Sequence, residues 1–168
     1  MKRLKKKEKD DKCIKVLIEI PYGSRAKYEY EDLTDKLVLD RVLPGSMVYP
    51  FNYGFIPETL AKDGDPLDVI FLSSEPVFPG SFVFGRVVSA LKVIDDNEVD
   101  DKIVMVACND PLLEEIKDLA VNLKRRMEEF FSGYKVLEGK KVQVTGWIKG
   151  EAAFELIKAA SSNYKNKI

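Results

Sequence analysis

Between positions 14 and 107 the chain runs in short segments, apolar or alternating, each stopped by glycine, proline or a charged turn. Helical periodicity appears only afterwards, and that order constrains the fold more than any single motif. Strands are expected over 14–20, 26–31, 37–42, 69–72, 81–93, 103–107 and 141–148. Residues 26–31 (AKYEYE) alternate with a two-residue period, as a half-exposed strand does. The 81–93 segment is rich in β-branched and aromatic residues, with Gly85 placed for a bulge or bend. Asp110-Pro111 offers an N-cap and a first-turn proline. From there Leu112, Ile116, Leu119, Leu123, Met127 and Phe130 recur at helical spacing as a core stripe, and Gly133 supplies the stop. A second helix is expected from about Glu151, with Ala153, Leu156, Ile157 and Ala160 on one face. Strands and helices do not alternate, which argues against a doubly wound parallel sheet. The expected class is mainly β, a small barrel or sandwich with helices outside.

The 168 residues fit one domain with a sizeable core. We expect residues 1–12 to form a basic, disordered tail and 13–168 a single catalytic domain. The tail holds seven Lys/Arg against three Asp/Glu, a net of +4; the whole chain is −1, which leaves −5 on the body. No apolar run approaches a membrane span, and the first residues lack the apolar core of a secretory signal, so the expected location is cytoplasmic. Cys13 and Cys108 lie far apart in apolar stretches and are expected to be small buried hydrophobes. There is no histidine at all, which removes Ser-His-Asp and Cys-His mechanisms and histidine-ligated zinc. Carboxylates, Lys, Arg, Tyr and metal-activated water are left to carry any chemistry.

The acidic residues are not evenly spread. Asp63, Asp65 and Asp68 stand within DGDPLD, immediately before the 69–72 strand. In extended chain the first two point to the same side, and a bend at Pro66 can bring the third back. Converging carboxylates raise one another's pKa unless a cation lies between them, and magnesium is the natural hard cation. The alternative is a polar turn whose aspartates cap backbone amides. A second acidic set, Asp95, Asp96, Glu98, Asp100 and Asp101, follows the long strand, either as a solvated hairpin loop or as the other half of a metal site. Lys27, Arg41, Lys102, Tyr134 and Lys135 could contact anions, and Tyr49 and Tyr53 could be core rings or hydroxyl donors. Metals with Lys, Arg and Tyr suit phosphoryl chemistry, and the absence of a GxxxxGK[ST] loop argues against a P-loop enzyme.

IEIPYGSRAKYEYE, DRVLPGSMVYPFNYGFIPETL, DGDPLDV, the acidic stretch ending at Lys102, FFSGYK and VTGW occur in the order of one known family. From about Cys13 to Ala160 the chain resembles the soluble family I inorganic pyrophosphatases. The resemblance implies a five-stranded OB-like β-barrel with two principal outer helices. It implies hydrolysis of pyrophosphate to two phosphates by direct attack of a metal-bridging hydroxide, using several Mg²⁺ ions, with Mn²⁺ or other divalents as possible substitutes. It implies that Asp63, Asp68 and Asp100 form the tightest metal site, that Asp95 helps hold further ions and that Glu29 reaches another. Asp65 would orient or deprotonate the attacking water. Lys27, Arg41, Tyr134 and Lys135 would contact phosphate, with Tyr53 and Lys102 also on the substrate side and Tyr49, Glu19 and Asp96 in support. Position 96 is Asp where some bacterial relatives have Glu. The compact chain looks more like the bacterial members, which implies a homo-oligomer, hexamer favoured over dimer. The rival readings are another Mg²⁺-dependent phosphohydrolase or nuclease and an OB-type nucleic-acid-binding module, the latter disfavoured by the acidic body.

Overall fold

The structure, a computed structural model, describes residues 12–167. The basic tail expected over residues 1–12 lies almost wholly outside the described residues. The chain runs β1 (Ile14–Ile20), β2 (Ala26–Glu31), β3 (Lys36–Val42), β4 (Asn52–Phe55), β5 (Asp68–Leu72), β6 (Phe82–Asp95), β7 (Glu98–Val99), β8 (Lys102–Ala107), α1 (Val121–Gly133), β9 (Val142–Lys149) and α2 (Gly150–Lys167). Strand β1 pairs with β4, β4 with β5, β5 with β8, β8 with β6, and β6 with β1 again. Five strands therefore close a ring, the expected barrel architecture with two helices outside it. Among the described residues only β5 and β8 run parallel. Both are buried along nearly their whole length, as parallel strands usually are.

Two apolar clusters divide the residues of these strands. Val69, Phe71, Ile103 and Met105 join Val16 and Ile18 in a cluster that Ala153, Ile157 and Ala160 of α2 complete. Ile70, Leu72, Val104 and Val106 face the other way, onto Tyr49, Phe51, Tyr53 and the α1 residues Met127, Phe130 and Phe131. The fourteen-residue β6 serves both ends: its first residues pair with β1, its last with β9. The β2–β3 hairpin stands apart as its own two-stranded sheet. Close approach dictates one ring glycine: a Cβ on Gly54 would lie 1.9 Å from the Leu17 carbonyl oxygen.

Four expectations need correction. Strands β4 and β7 are additional, because a four-residue buried strand and a two-residue ladder carry no readable period. The first helix begins only at Val121; residues 111–120 form turns, and Leu112 is 78% exposed. Local polar groups compete there with helix formation. The Asp110 carboxylate accepts the N–H groups of Ser74 and Leu112, and Arg86 donates to the carbonyls of Leu113 and Glu114. The strand irregularity falls between Val87 and Ser89 rather than at Gly85, whose added Cβ would meet Met105 and Phe71 at 2.9 Å.

Finally, Cys13 and Cys108 are not free hydrophobes. They are half-buried and joined in a disulfide across a sequence separation of 95, linking the start of β1 to the end of β8. A covalent link closing a loop of 95 positions stabilises by roughly 4–5 kcal/mol through the unfolded chain in the chain-entropy picture. A Cys13→Ser/Cys108→Ser double variant should lose that amount in a denaturant titration, and reductant should lower the parent protein to the same value. Equal stability of oxidised and reduced protein would show that the bridge contributes nothing.

Candidate active site

The DGDPLD segment folds around one buried hydroxyl. Thr59 Oγ1 donates to the Ile56 carbonyl at 2.6 Å and accepts the Leu67 N–H at 2.9 Å, while the Ala61 N–H reaches the Asp65 carbonyl at 2.8 Å. Gly64 takes a φ of +95°, which an L side chain rarely adopts. Leu67 is thereby buried, and Asp65 and Asp68 emerge on either side of it. The three aspartates then part company. Asp63 caps the Asp65 N–H at 3.1 Å, as the turn-capping alternative predicts. Asp68 opens β5 and accepts hydrogen bonds from Tyr53 Oη at 2.6 Å and Lys102 Nζ at 2.5 Å. The Asp65 carboxylate has no side-chain hydrogen bond among the described residues.

Lys102 opens β8, beside β5, and its side chain is only 3% exposed. Its ammonium grips Asp68 and Asp100 together. Burial alone would lower its pKa, but these two carboxylates outweigh that and raise it. Asp95, at the end of β6, pairs with Lys135, which follows Tyr134 beyond α1. On the separate hairpin, Lys27 contacts Glu29 and Asp40 and lies across the ladder from Arg41. Glu19 of β1 reaches the same hairpin by accepting the Tyr30 N–H at 2.7 Å.

These side chains line a cleft of about 430 Å³. Of the residues expected from sequence, Glu19, Lys27, Glu29, Tyr49, Tyr53, Asp65, Asp68, Asp95, Asp100, Lys102, Tyr134 and Lys135 line it. Arg41, Asp63 and Asp96 do not. Arg41 is nevertheless close enough for its charge to act on Tyr49 and Tyr134, and Asp63 acts likewise on Asp65 and Asp100. Asp96 and Asn97 have φ of +51° and +67° and make the tight turn joining β6 to β7, next to Lys140 and Lys141. Two partners were not among the expected residues: Asp40, which contacts both Lys27 and Arg41, and Glu138, which accepts from Arg41. Asp40 opens the DRVLPGS stretch but was given no role from sequence, and Glu138 lies outside every quoted stretch, so the tertiary contacts reveal both roles.

Seven carboxylates and three lysines line the cleft. Burial raises the Glu19 pKa to about 7, with Asp68 and Glu29 adding to it against the Tyr30 N–H and Lys27. Burial likewise takes Asp100 to about 6, against Lys102. Asp65 is raised by burial and then by Asp63, Asp68 and Glu29. Tyr49, Tyr53 and Tyr134 are pushed up by burial and remain protonated donors at neutral pH. No three acidic groups among the described residues form a closed metal cluster. The donor set nonetheless suits a hard divalent cation: carboxylate oxygens dominate, and Asp68 and Asp100 already converge on one cationic atom.

A family model described as inorganic pyrophosphatase matches residues 16–165. The inorganic pyrophosphatase of Nanoarchaeum equitans is 46% identical over 156 residues, spanning 89% of this chain and 96% of that one. That of Thermus thermophilus is 43% identical over 171 residues, spanning 98% of each. The crystal structure of the Thermus thermophilus enzyme superposes with a TM-score of 0.89 at 43% identity, covering 94% of both chains.

Glu19 gives a stability test. A carboxyl raised from 4.5 to about 7 on folding stays protonated in the folded chain while the unfolded chain ionises. Its contribution is therefore present below pH 4.5 and lost as pH rises through 7. In EDTA, Glu19→Gln keeps an acceptor for Tyr30 without the charge. It should be more stable than the parent at pH 8.5 by about 1–3 kcal/mol and equal to it near pH 4. Parallel pH profiles for the two proteins would refute the assignment.

Proposed function

The chain belongs to the inorganic pyrophosphatase family, and on that premise we propose that its acidic cleft hydrolyses pyrophosphate to two orthophosphates with the help of several Mg²⁺ ions. The excess of carboxylates over lysines in the cleft carries this reading. A polyanionic substrate enters such a site only with cations that offset both charges. The same excess disfavours a nucleic-acid-binding surface.

Asp68, Asp95, Asp100, Asp63 and Glu29 are the residues proposed to hold divalent ions. When bound, these ions neutralise the substrate and acidify water in the cleft. Asp65 is proposed as the base. Its carboxylate is unengaged by other side chains, and burial with neighbouring charge raises its proton affinity. It takes one proton as the water oxygen bonds to phosphorus, and the bridging P–O bond breaks with its electron pair on the departing phosphate. Lys27, Arg41 and Lys135 neutralise the phosphate oxygens, and the protonated hydroxyls of Tyr53 and Tyr134 are available as donors. Buried Lys102 keeps Asp68 and Asp100 together and offsets part of their charge.

Among the described residues no helix is long and apolar enough to cross a membrane. A cytoplasmic setting and a homo-oligomer, hexamer over dimer, complete the proposal. Exposed Phe78 and Phe82 are consistent with surface that another copy covers.

With Mg²⁺ the protein should release phosphate from pyrophosphate in preference to ATP, tripolyphosphate or DNA, and EDTA should abolish the release. Asp65→Asn should lower kcat by about 10²–10⁴ with the fold unchanged by circular dichroism. Absence of phosphate release in Mg²⁺ would overturn the activity, and a fully active Asp65→Asn would overturn the base.

A further inference from the structure

Arg41 is held on two of its three guanidinium nitrogens. Its Nε donates to Glu138 Oε1 at 3.0 Å, and Nη1 donates to Asp40, which also accepts from Lys27 at 3.2 Å. Nη2 has no hydrogen-bond partner among the described residues. Glu138 lies 97 positions from Arg41 in sequence, in the single 3-10 turn Val136–Glu138 that directly follows Lys135. The Glu138 side chain is 20% exposed, so this contact is partly shielded from solvent. The turn also touches the exit of β3 at a second point. Gly45, with φ +77°, lies so close beneath Leu137 that an added Cβ would come within 2.8 Å of Leu137 Cδ1.

Two phosphate contacts assigned above, Arg41 and Lys135, therefore come from distant parts of the sequence and meet through this turn. A guanidinium fixed at Nε and Nη1 cannot rotate without losing both bonds, and Nη2 stays presented in one direction. Asp40 alone leaves it a pivot. We propose that Glu138 is a positioning residue that fixes the Arg41 guanidinium relative to Lys135, so that both meet the same substrate. Glu138 itself touches neither substrate nor metal. The inference rests on the reading of Arg41 as a phosphate contact, and the experiment separates the two.

Steady-state kinetics with magnesium pyrophosphate would compare Glu138→Ala, Glu138→Gln, Glu138→Asp, Arg41→Ala and the Arg41→Ala/Glu138→Ala double variant. Glu138→Ala should raise KM about tenfold while kcat falls less than about threefold, with an unchanged melting temperature. Glu138→Gln retains an acceptor for Nε and should restore KM to within about threefold of the parent. Glu138→Asp withdraws the acceptor by one methylene and should shift KM in the same sense as alanine, which keeps the test open if Glu138→Ala folds poorly. In the Arg41→Ala background, removing Glu138 should change nothing further, because the two act as one unit. An active Arg41→Ala with parental KM would overturn the phosphate role of Arg41 and this inference with it. An impaired Arg41→Ala beside a parental Glu138→Ala and Glu138→Asp, or additive effects in the double variant, would overturn the positioning role alone.

Discussion

The buried ammonium of Lys102 sets the terms for the rest of the molecule. An isolated charge at 3% exposure would be strongly unfavourable, so it is tolerable only while Asp68 and Asp100 remain against it. Those residues sit at the opening of β5 and just before β8, the two strands that pair in parallel. The Lys102–Asp68 pair and the parallel ladder hold each other in register: slide one strand by a residue and Lys102 loses Asp68. Because β5 and β8 are also buried on both faces, such a slip would transfer either Val69 and Phe71 or Ile103 and Met105 from one apolar cluster to the other. The charge and the core specify the same arrangement.

The ring strands contribute three of the seven cleft carboxylates, and the cations come mainly from elsewhere. Glu19, Asp68 and Asp95 belong to ring strands, whereas Lys27 and Arg41 ride on the β2–β3 hairpin and Lys135 follows α1. Three ties bind the hairpin to the rest: the Tyr30 amide on Glu19, the Tyr30 ring 5.9 Å from that of Phe55, and Arg41 on Glu138. The proposed phosphate contacts thus depend on a peripheral sheet whose placement is set by polar contacts more than by core packing. That division explains why Asp40 and Glu138 accompany the cations: lysines and arginines on a thin hairpin need carboxylate partners to keep one orientation.

Much of this was legible in the residues. The order of short strands followed by late helices predicts a small barrel or sandwich with outer helices, and the family resemblance narrows it to a five-stranded barrel; β1 and β2 match their expected limits because turns at Pro21 and the charged 32–35 segment stop them cleanly. Illegible features share one cause, dependence on a distant partner. The 110–120 stripe has helical spacing, yet Arg86 and Asp110 take its backbone groups into turns. Asn52–Phe55 shows no alternation because all four residues are buried between β1 and β5. The pairing of Cys13 with Cys108 follows from the ends of β1 and β8 lying near each other beside β6, which no spacing rule reveals. In the candidate site, twelve of the fifteen expected residues line the cleft and Arg41, Asp63 and Asp96 do not, while Asp40 and Glu138, which hold the cations in place, had no role assigned from sequence.

The crowding of Asp63, Asp65 and Asp68 now has a physical resolution that does not require them to converge as equals. Asp63 spends its carboxylate on a backbone amide, and Asp68 is shared between a buried tyrosine and a buried lysine. Each is thereby fixed in place with its charge partly answered. Asp65 has no such partner, so the repulsion falls on it, added to the cost of its partial burial, and its proton affinity rises. Histidine ordinarily supplies a base near neutrality from its intrinsic pKa. This chain has none; it fixes two aspartates and leaves a third exposed to their charge, which raises that carboxyl's proton affinity, and the two fixed members are those proposed to hold the metal that would relieve it.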